Sequence, residues 1–149
     1  MIRIPPNARI ALMTVIQMGR MQRAYRDRKT TKKYYPMWAL AEEICGVGRG
    51  LDKIAQALAK RGIFQGERGP LGGYRLGRNP RNITLREVVE IAATIVGDPQ
   101  DGYNGEGLPI NAAYVEGALG RAFEAFLASL GAVTIADVLK DLEGEDEEL

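Results

Sequence analysis

The stretch Gly62-Ile63-Phe64-Gln65-Gly66-Glu67-Arg68-Gly69-Pro70-Leu71-Gly72-Gly73-Tyr74-Arg75-Leu76 decides the fold. Ile63 to Glu67 reads as a short strand, and Tyr74-Arg75-Leu76 alternates as the returning strand of a hairpin. Between them, Arg68 to Gly73 supplies the glycines and proline that a tight turn requires. Immediately upstream, Leu51, Ile54, Ala55 and Leu58 follow the i, i+3, i+4, i+7 spacing of a helix with one buried stripe. The spacing predicts a helix from about Arg49 to Arg61, ended by Gly62. Arg49, Asp52, Lys53, Gln56 and Lys60 fall on its opposite face, long enough to reach base edges or phosphates. Pro36 suits the first turn of a short helix through Trp38, Leu40, Ala41 and Ile44, which Cys45-Gly46-Val47-Gly48 breaks. Two helices joined by a glycine-containing turn form a helix-turn-helix pattern, and a hairpin directly after it is a wing.

Upstream again, Asn7 caps a first helix that begins after Pro5 and Pro6 and runs to about Arg26. From Arg20 to Lys33 the chain carries seven basic residues and one acid, a run that reads equally as phosphate contacts or as a solvated loop. Trp38 and the pair Tyr34-Tyr35 are expected to anchor the first two helices to each other. Downstream, Thr84-Leu85-Arg86-Glu87 reads as a capping box opening a further helix. Residues 97–109 read as a loop. A long helix from about Asn111 to Leu130 follows, with Val115, Leu119, Ala122, Phe126 and Leu130 at alternating three- and four-residue steps. That stripe, with Phe123 beside it, serves either core packing or a dimer seam. Thr134 to Leu142 predicts a short closing helix, and Glu143 to Leu149, with five acids, a frayed tail. The organisation is thus a winged helix-turn-helix domain over 1–97, a loop over 98–109, dimerisation and closing helices over 110–142, and an acidic tail over 143–149. The fold class is mainly α with a small β-hairpin wing.

Composition bounds the chemistry. The chain has 149 residues, enough for one domain with an ordinary core. It has no histidine and one cysteine, which excludes Ser-His-Asp and Cys-His nucleophile systems and a disulfide within the chain. No metal or cofactor is expected, and no enzyme: acid pairs such as Glu42-Glu43 read as a solvated face. Cys45 reads as a structural thiol near a helix end, with an oxidant-sensing role as the alternative. Gly46-Val47-Gly48-Arg49-Gly50 lacks the preceding strand that a dinucleotide-binding loop needs. No apolar run approaches a membrane span, and the expected location is the cytoplasm. The overall charge of +1 conceals a split. Residues 1–81 hold 17 Lys and Arg against five acids, and residues 82–149 hold three against 14. Such asymmetry points the basic half toward a polyanion.

The wing segment, followed by Pro80, Ile83, Thr84 and Leu85, closely resembles the Rrf2 family of bacterial winged-helix transcription regulators. Its pattern R-G-P-x-G-G-Y-x-L is complete here. Ala8 to Leu12 resembles the family's first helix, and Thr134 to Leu139 its closing helix. The resemblance implies a homodimer crossed through the long helix and bound to a near-palindromic operator in double-stranded DNA. It implies that the third helix enters the major groove, with Arg49, Asp52 and Lys53 at base-reading positions, and that Arg68 reaches the minor groove. The expected DNA-contacting set is Arg49, Asp52, Lys53, Gln56 and Lys60 on the helix, with Arg68, Gly69, Pro70, Gly72, Gly73, Tyr74 and Arg75 on the wing. The expected dimer seam is Val115, Leu119, Ala122, Phe123, Phe126 and Leu130. Many members hold an iron–sulfur cluster with three cysteines before the long helix. Residues 97–109 have none, so a member without that cluster is expected: a repressor answering an unknown small-molecule or redox effector. Arg49 and Gly50 replace the family's usual serine and tyrosine, so the operator should differ. An interaction module that kept the fold and lost sequence reading is the alternative.

Overall fold

The computed structural model describes residues 6–29, 31–43, 51–95 and 110–148. Its elements follow the chain as α1 (Pro6–Arg26), α2 (Met37–Glu43), α3 (Leu51–Lys60), β1 (Phe64–Glu67), β2 (Gly73–Leu76), a 3-10 turn (Pro80–Asn82), α4 (Leu85–Ala93), α5 (Ile110–Gly131) and α6 (Ile135–Glu148). The predicted stripe of α3 is its buried face: Leu51, Ile54, Ala55 and Leu58 are all inside. They meet Ala11, Val15 and Met18 of α1, Leu40 of α2 and Val88, Ile91 and Ala92 of α4 in one core. Fully burying a side chain of this size contributes about 1.5–3 kcal/mol, so this apolar stripe fixes the helix-turn-helix far more than helix propensity does. Gly62 closes α3 with φ +76°, a left-handed conformation suited to glycine.

The hairpin pairs Phe64 with Leu76, Gln65 with Arg75, Gly66 with Tyr74 and Glu67 with Gly73. Phe64 and Leu76 point into the core, and the Phe64 and Tyr74 rings lie 5.9 Å apart. A third piece of extended chain completes the wing base. Tyr35 N–H donates to Tyr74 O at 2.9 Å, and Tyr74 N–H donates to Tyr35 O at 2.8 Å. Tyr35 is buried, its hydroxyl 3.1 Å from Met21 O and 3.0 Å from Lys32 O. Burial raises its phenol pKa, so the hydroxyl remains the donor that ties this strand to the end of α1.

Trp38 departs from expectation. It is 64% exposed rather than wedged between α1 and α2, and Tyr35 and Leu40 supply the anchoring instead. The capping box at Thr84 is half formed. Thr84 Oγ1 accepts from Glu87 N–H at 3.2 Å, but the Glu87 carboxylate turns to Arg78 at 2.5 and 3.2 Å. The Thr84 backbone instead sits in a bridge with Thr134, flanked by Leu85 N–H to Val133 O and Ile135 N–H to Ile83 O. The reciprocal box is found at the start of α6. Asp137 N–H donates to Thr134 Oγ1 at 3.1 Å, and Thr134 N–H donates to Asp137 Oδ2 at 2.9 Å.

Hydrogen bonding from Thr134, first its backbone and then its side chain, holds the Asp137 carboxyl below the usual carboxylate range. A depressed folded-state pKa stabilises above the unfolded value, and that contribution fades as pH falls through the folded one. Replacing Asp137 with Asn should therefore flatten the acid limb of stability against pH, measured by urea midpoints between neutral and acidic buffers. The α6 helix also continues to Glu148, through residues expected to form a frayed tail. Glutamate is a good helix former, and the fixed start at Thr134 removes the nucleation cost.

Arg78 clamps three elements. Its guanidinium donates to both Glu87 oxygens on α4, to Asn82 O at the 3-10 turn and to Arg61 O beyond α3, the last two at 3.3 Å. Arg78→Ala should cost about 1–2 kcal/mol, and Arg78→Lys should recover little because an ammonium cannot reproduce the planar fork. Urea unfolding of the two variants measures this.

Candidate nucleic-acid interface

The helix-turn-helix core leaves one face of α3 in solvent. Asp52, Lys53, Gln56 and Lys60 are all exposed, while the residues between them are buried or half-buried. Lys53, Gln56 and Lys60 line a shallow groove with Arg61, Tyr74 of the wing base, and Thr94 and Ile95 after α4. The groove therefore joins the open face of α3 to the base of the wing. Arg49, at a base-reading position by resemblance, lies outside the described residues, as do Gly50 and Cys45.

The wing turn is built by its own sterics. A Cβ on Gly72 would stand 2.2 Å from Glu67 O, and one on Gly73 (φ +139°) 2.4 Å from the carbonyl carbon of Tyr35. Both positions require glycine to close the hairpin, whatever the wing approaches. Gly69, at φ +111°, has nothing within 4 Å and leaves open space at the tip. Arg68, Gly69 and Pro70 are exposed, and Leu71 is 91% exposed. Tyr74 is less available than expected, because its ring packs toward Phe64 and the core. Arg75 is half-buried, its guanidinium 5.9 Å from the centre of the Tyr34 ring.

Two residues that the sequence reading assigned elsewhere join this surface. Trp38 and Tyr34 line a cavity with Lys32, Lys33 and the whole turn from Glu67 to Gly73. Trp38 stands at the second position of α2, and nothing in its local pattern distinguishes an inward from an outward tryptophan. The pairing of Tyr35 with Tyr74 makes the difference, since it sends Tyr35 inward and sets the start of α2 beside the wing. The strength of the surface is its spread of cations around a concave junction; Asp52 and Glu67 are the acids placed within it.

The α5 helix presents a second exposed surface. Leu127 is its buried anchor, and Leu130 is half-buried against the same core. Ala122 is exposed, Phe123 is 53% exposed, and Phe126 is half-buried with its ring 6.3 Å from that of Phe123. Val115 and Leu119 lie on α5, with side chains outside the described residues. The sequence stripe through Ala122 and Leu130 thus divides, Leu130 facing its own core and Phe123 facing out. Leu127, which follows Phe123 by four and precedes Leu130 by three, was the missed anchor, and that neighbouring stripe was its signal.

Comparison with known proteins follows the same outline. The family model Rrf2, described as an iron-dependent transcriptional regulator, matches residues 9–141. No curated protein matches. Among solved structures, IscR of T. potens is similar at 18% identity and a TM-score of 0.70, over 97% of this chain and 90% of that one. The CymR structure of B. subtilis, titled as a global cysteine regulator, is similar at 17% identity and a TM-score of 0.63, over 94% and 98%. The oxidised form of S. aureus CymR is similar at 18% identity and a TM-score of 0.62, over 93% and 96%. At these identities the solved structures speak to the fold. Among the described residues, no helix is long and apolar enough to cross a membrane.

Proposed function

Because the chain belongs to the Rrf2 family of transcriptional regulators, we propose that it is a sequence-specific DNA-binding repressor acting as a homodimer on a near-palindromic operator. The observation that carries the reading is the open face of α3, joined by a groove to an exposed, arginine-tipped wing. In this reading α3 lies in the major groove, where Lys53 and Gln56 meet base edges and Lys60 meets phosphate. Arg68 enters the minor groove, where it senses groove width and negative potential. Regulation is by steric occlusion, with no covalent chemistry. Selection of bound fragments from genomic DNA tests this: recovery of one shared two-fold motif supports it, and an unenriched pool contradicts it.

The regulator works without a thiolate-held iron–sulfur cluster. A cluster needs several thiolates or imidazoles, and the whole chain offers one cysteine and no histidine. Residues 97–109, where cluster-bearing members place their cysteines, consist of other types and lie outside the described residues. The donor set does not fit the group, so the signal reaches this protein by another route.

The dimer seam runs along α5. An exposed phenylalanine on a helix held to its own chain by Leu127 and Leu130 leaves an apolar face for a second copy. Phe123→Glu would place two like charges across a two-fold seam. Sedimentation velocity should show the variant as a monomer at concentrations where the parent is a dimer, with helix content unchanged. Exposed Trp38 and Leu71 around one cavity favour a second reading, an interaction module that binds a protein partner through the wing. A flat DNA-binding profile together with a tight partner sensitive to Trp38→Ala would favour that reading.

A further inference from the structure

The basic run at the end of α1 faces a cavity that shares only Arg75 with the expected DNA-contacting residues. It has a volume of about 690 Å³ and is walled by α1, β2, the 3-10 turn and α6. That volume is within the ordinary range for small-molecule sites, about 300–1,000 Å³. Five cationic side chains line it: Arg23, Arg26, Lys33, Arg75 and Arg81. The acid among its lining residues is Glu143 of α6. No residue of α3 and none of the wing turn from Arg68 to Gly72 contributes to the lining.

The walls are fixed by specific contacts. Gln22 Oε1 accepts from Leu76 N–H at 2.8 Å, tying the end of α1 to β2. Gly19 lets α6 close the cavity, since a Cβ there would stand 2.9 Å from Leu139 Cδ1. The Tyr34 ring lies 5.7 Å from Lys33 Nζ and 5.9 Å from the Arg75 guanidinium, which orients two of the cations. The 3-10 turn that presents Arg81 is held by the Arg81 N–H bond to Asn79 Oδ1 at 3.0 Å. Asp27, one turn beyond Arg23 and just past the end of α1, lies 3.7 Å from both Arg23 and Arg26. Glu143 reaches in from α6 to form an ion pair with Arg23.

We propose that this cavity is a binding site for a small phosphate-type polyanion, and that the Glu143 carboxylate occupies part of the anion's place when the ligand is absent. Five cations lining one cavity exceed what Glu143 and Asp27 neutralise, and mutual repulsion leaves them favouring an anion with two or more charges. Planar guanidinium forks suit phosphate oxygens. The Glu143 carboxylate in the lining disfavours the backbone of a long nucleic acid, while a small ligand displaces that one side chain. The site stands apart from the DNA-binding reading, because its test uses DNA-free protein.

The experiment is calorimetric titration of the full-length chain with inorganic pyrophosphate at low, matched ionic strength. Saturable binding at one site per chain is expected. Arg26→Ala and Arg81→Ala, both at exposed positions, should each weaken it about fivefold, and Glu143→Gln should tighten it about threefold. Pyrophosphate should also raise the melting temperature of the parent more than that of Arg81→Ala, which separates lost binding from lost folding. Absence of saturable binding, or binding unchanged in all three variants, would overturn the proposal. So would the finding that Arg26→Ala and Arg81→Ala reduce duplex DNA affinity without affecting pyrophosphate, since the cations would then serve the DNA backbone.

Discussion

Gly73→Ala should destabilise the protein by about 3 kcal/mol or more, lowering the melting temperature by roughly 10 °C. Two independent costs combine at this residue. Its φ of +139° lies where residues with a side chain are strained, by about 1–3 kcal/mol. The new Cβ would also sit 2.4 Å from Tyr35 C, 2.5 Å from Tyr35 O and 2.6 Å from Pro36 N. Those are backbone atoms, which have no rotamer by which to withdraw. Relief requires parting Tyr35 from Tyr74, with two backbone hydrogen bonds worth about 1 kcal/mol each. Gly66→Ala is the control: its Cβ would meet the Tyr74 ring at 3.4 Å and Gly73 O at 4.0 Å, ordinary contact distances. Thermal unfolding of both variants measures the difference. Equal melting temperatures would mean that the extended segment before α2 is not locked onto the wing.

The second large effect concerns DNA. Arg68→Ala should weaken binding to the operator about 10- to 100-fold while leaving the dimer and its melting temperature unchanged. Arg68 is exposed on a turn whose shape is set by its glycines, so its removal leaves no cavity and breaks no core contact. The double change Lys53→Ala with Lys60→Ala should act differently. Lys60 removal should weaken all duplexes alike and lower the salt slope by about one, while Lys53 removal should relax preference at one base position. Fluorescence anisotropy with operator and scrambled duplexes over a salt series distinguishes the two. An Arg68→Ala protein that binds as the parent does would remove the wing from the interface.

How much of this was legible beforehand differs by element. The wing was legible because turn chemistry is local: Gly69, Gly72 and Gly73 stand where the hairpin needs them. The inward stripe of α3 was legible because burial on one face leaves a strict helical period. Trp38 was not, because its position depends on the Tyr35–Tyr74 pairing, a contact across 39 residues. Glu87 was misassigned for a similar reason, since Arg78 competes for its carboxylate and wins on charge. On α5, two adjacent stripes share Leu130, and packing against α4 selected the one through Leu127. Gly72 and Gly73, expected among the DNA contacts, are already required by contacts within the chain.

The charge division acquires a structural sense. The basic half includes α3, the wing and the end of α1, and the acidic half includes α4, α5 and α6. Where the halves meet, at Arg23 and Glu143 and at Arg78 and Glu87, they are joined by ion pairs. Elsewhere Lys53 and Lys60 of α3 and Arg68 of the wing turn remain in solvent, where a polyanion reaches them.

The central claim is that this surface reads DNA sequence. The most direct measurement is the affinity of the purified full-length chain for its selected genomic fragment against a scrambled duplex of equal length, titrated over salt. At least about 10³-fold preference for the selected fragment is expected at physiological salt, with affinity for both falling steeply as salt rises. Equal affinity for the two duplexes at every salt concentration would contradict it.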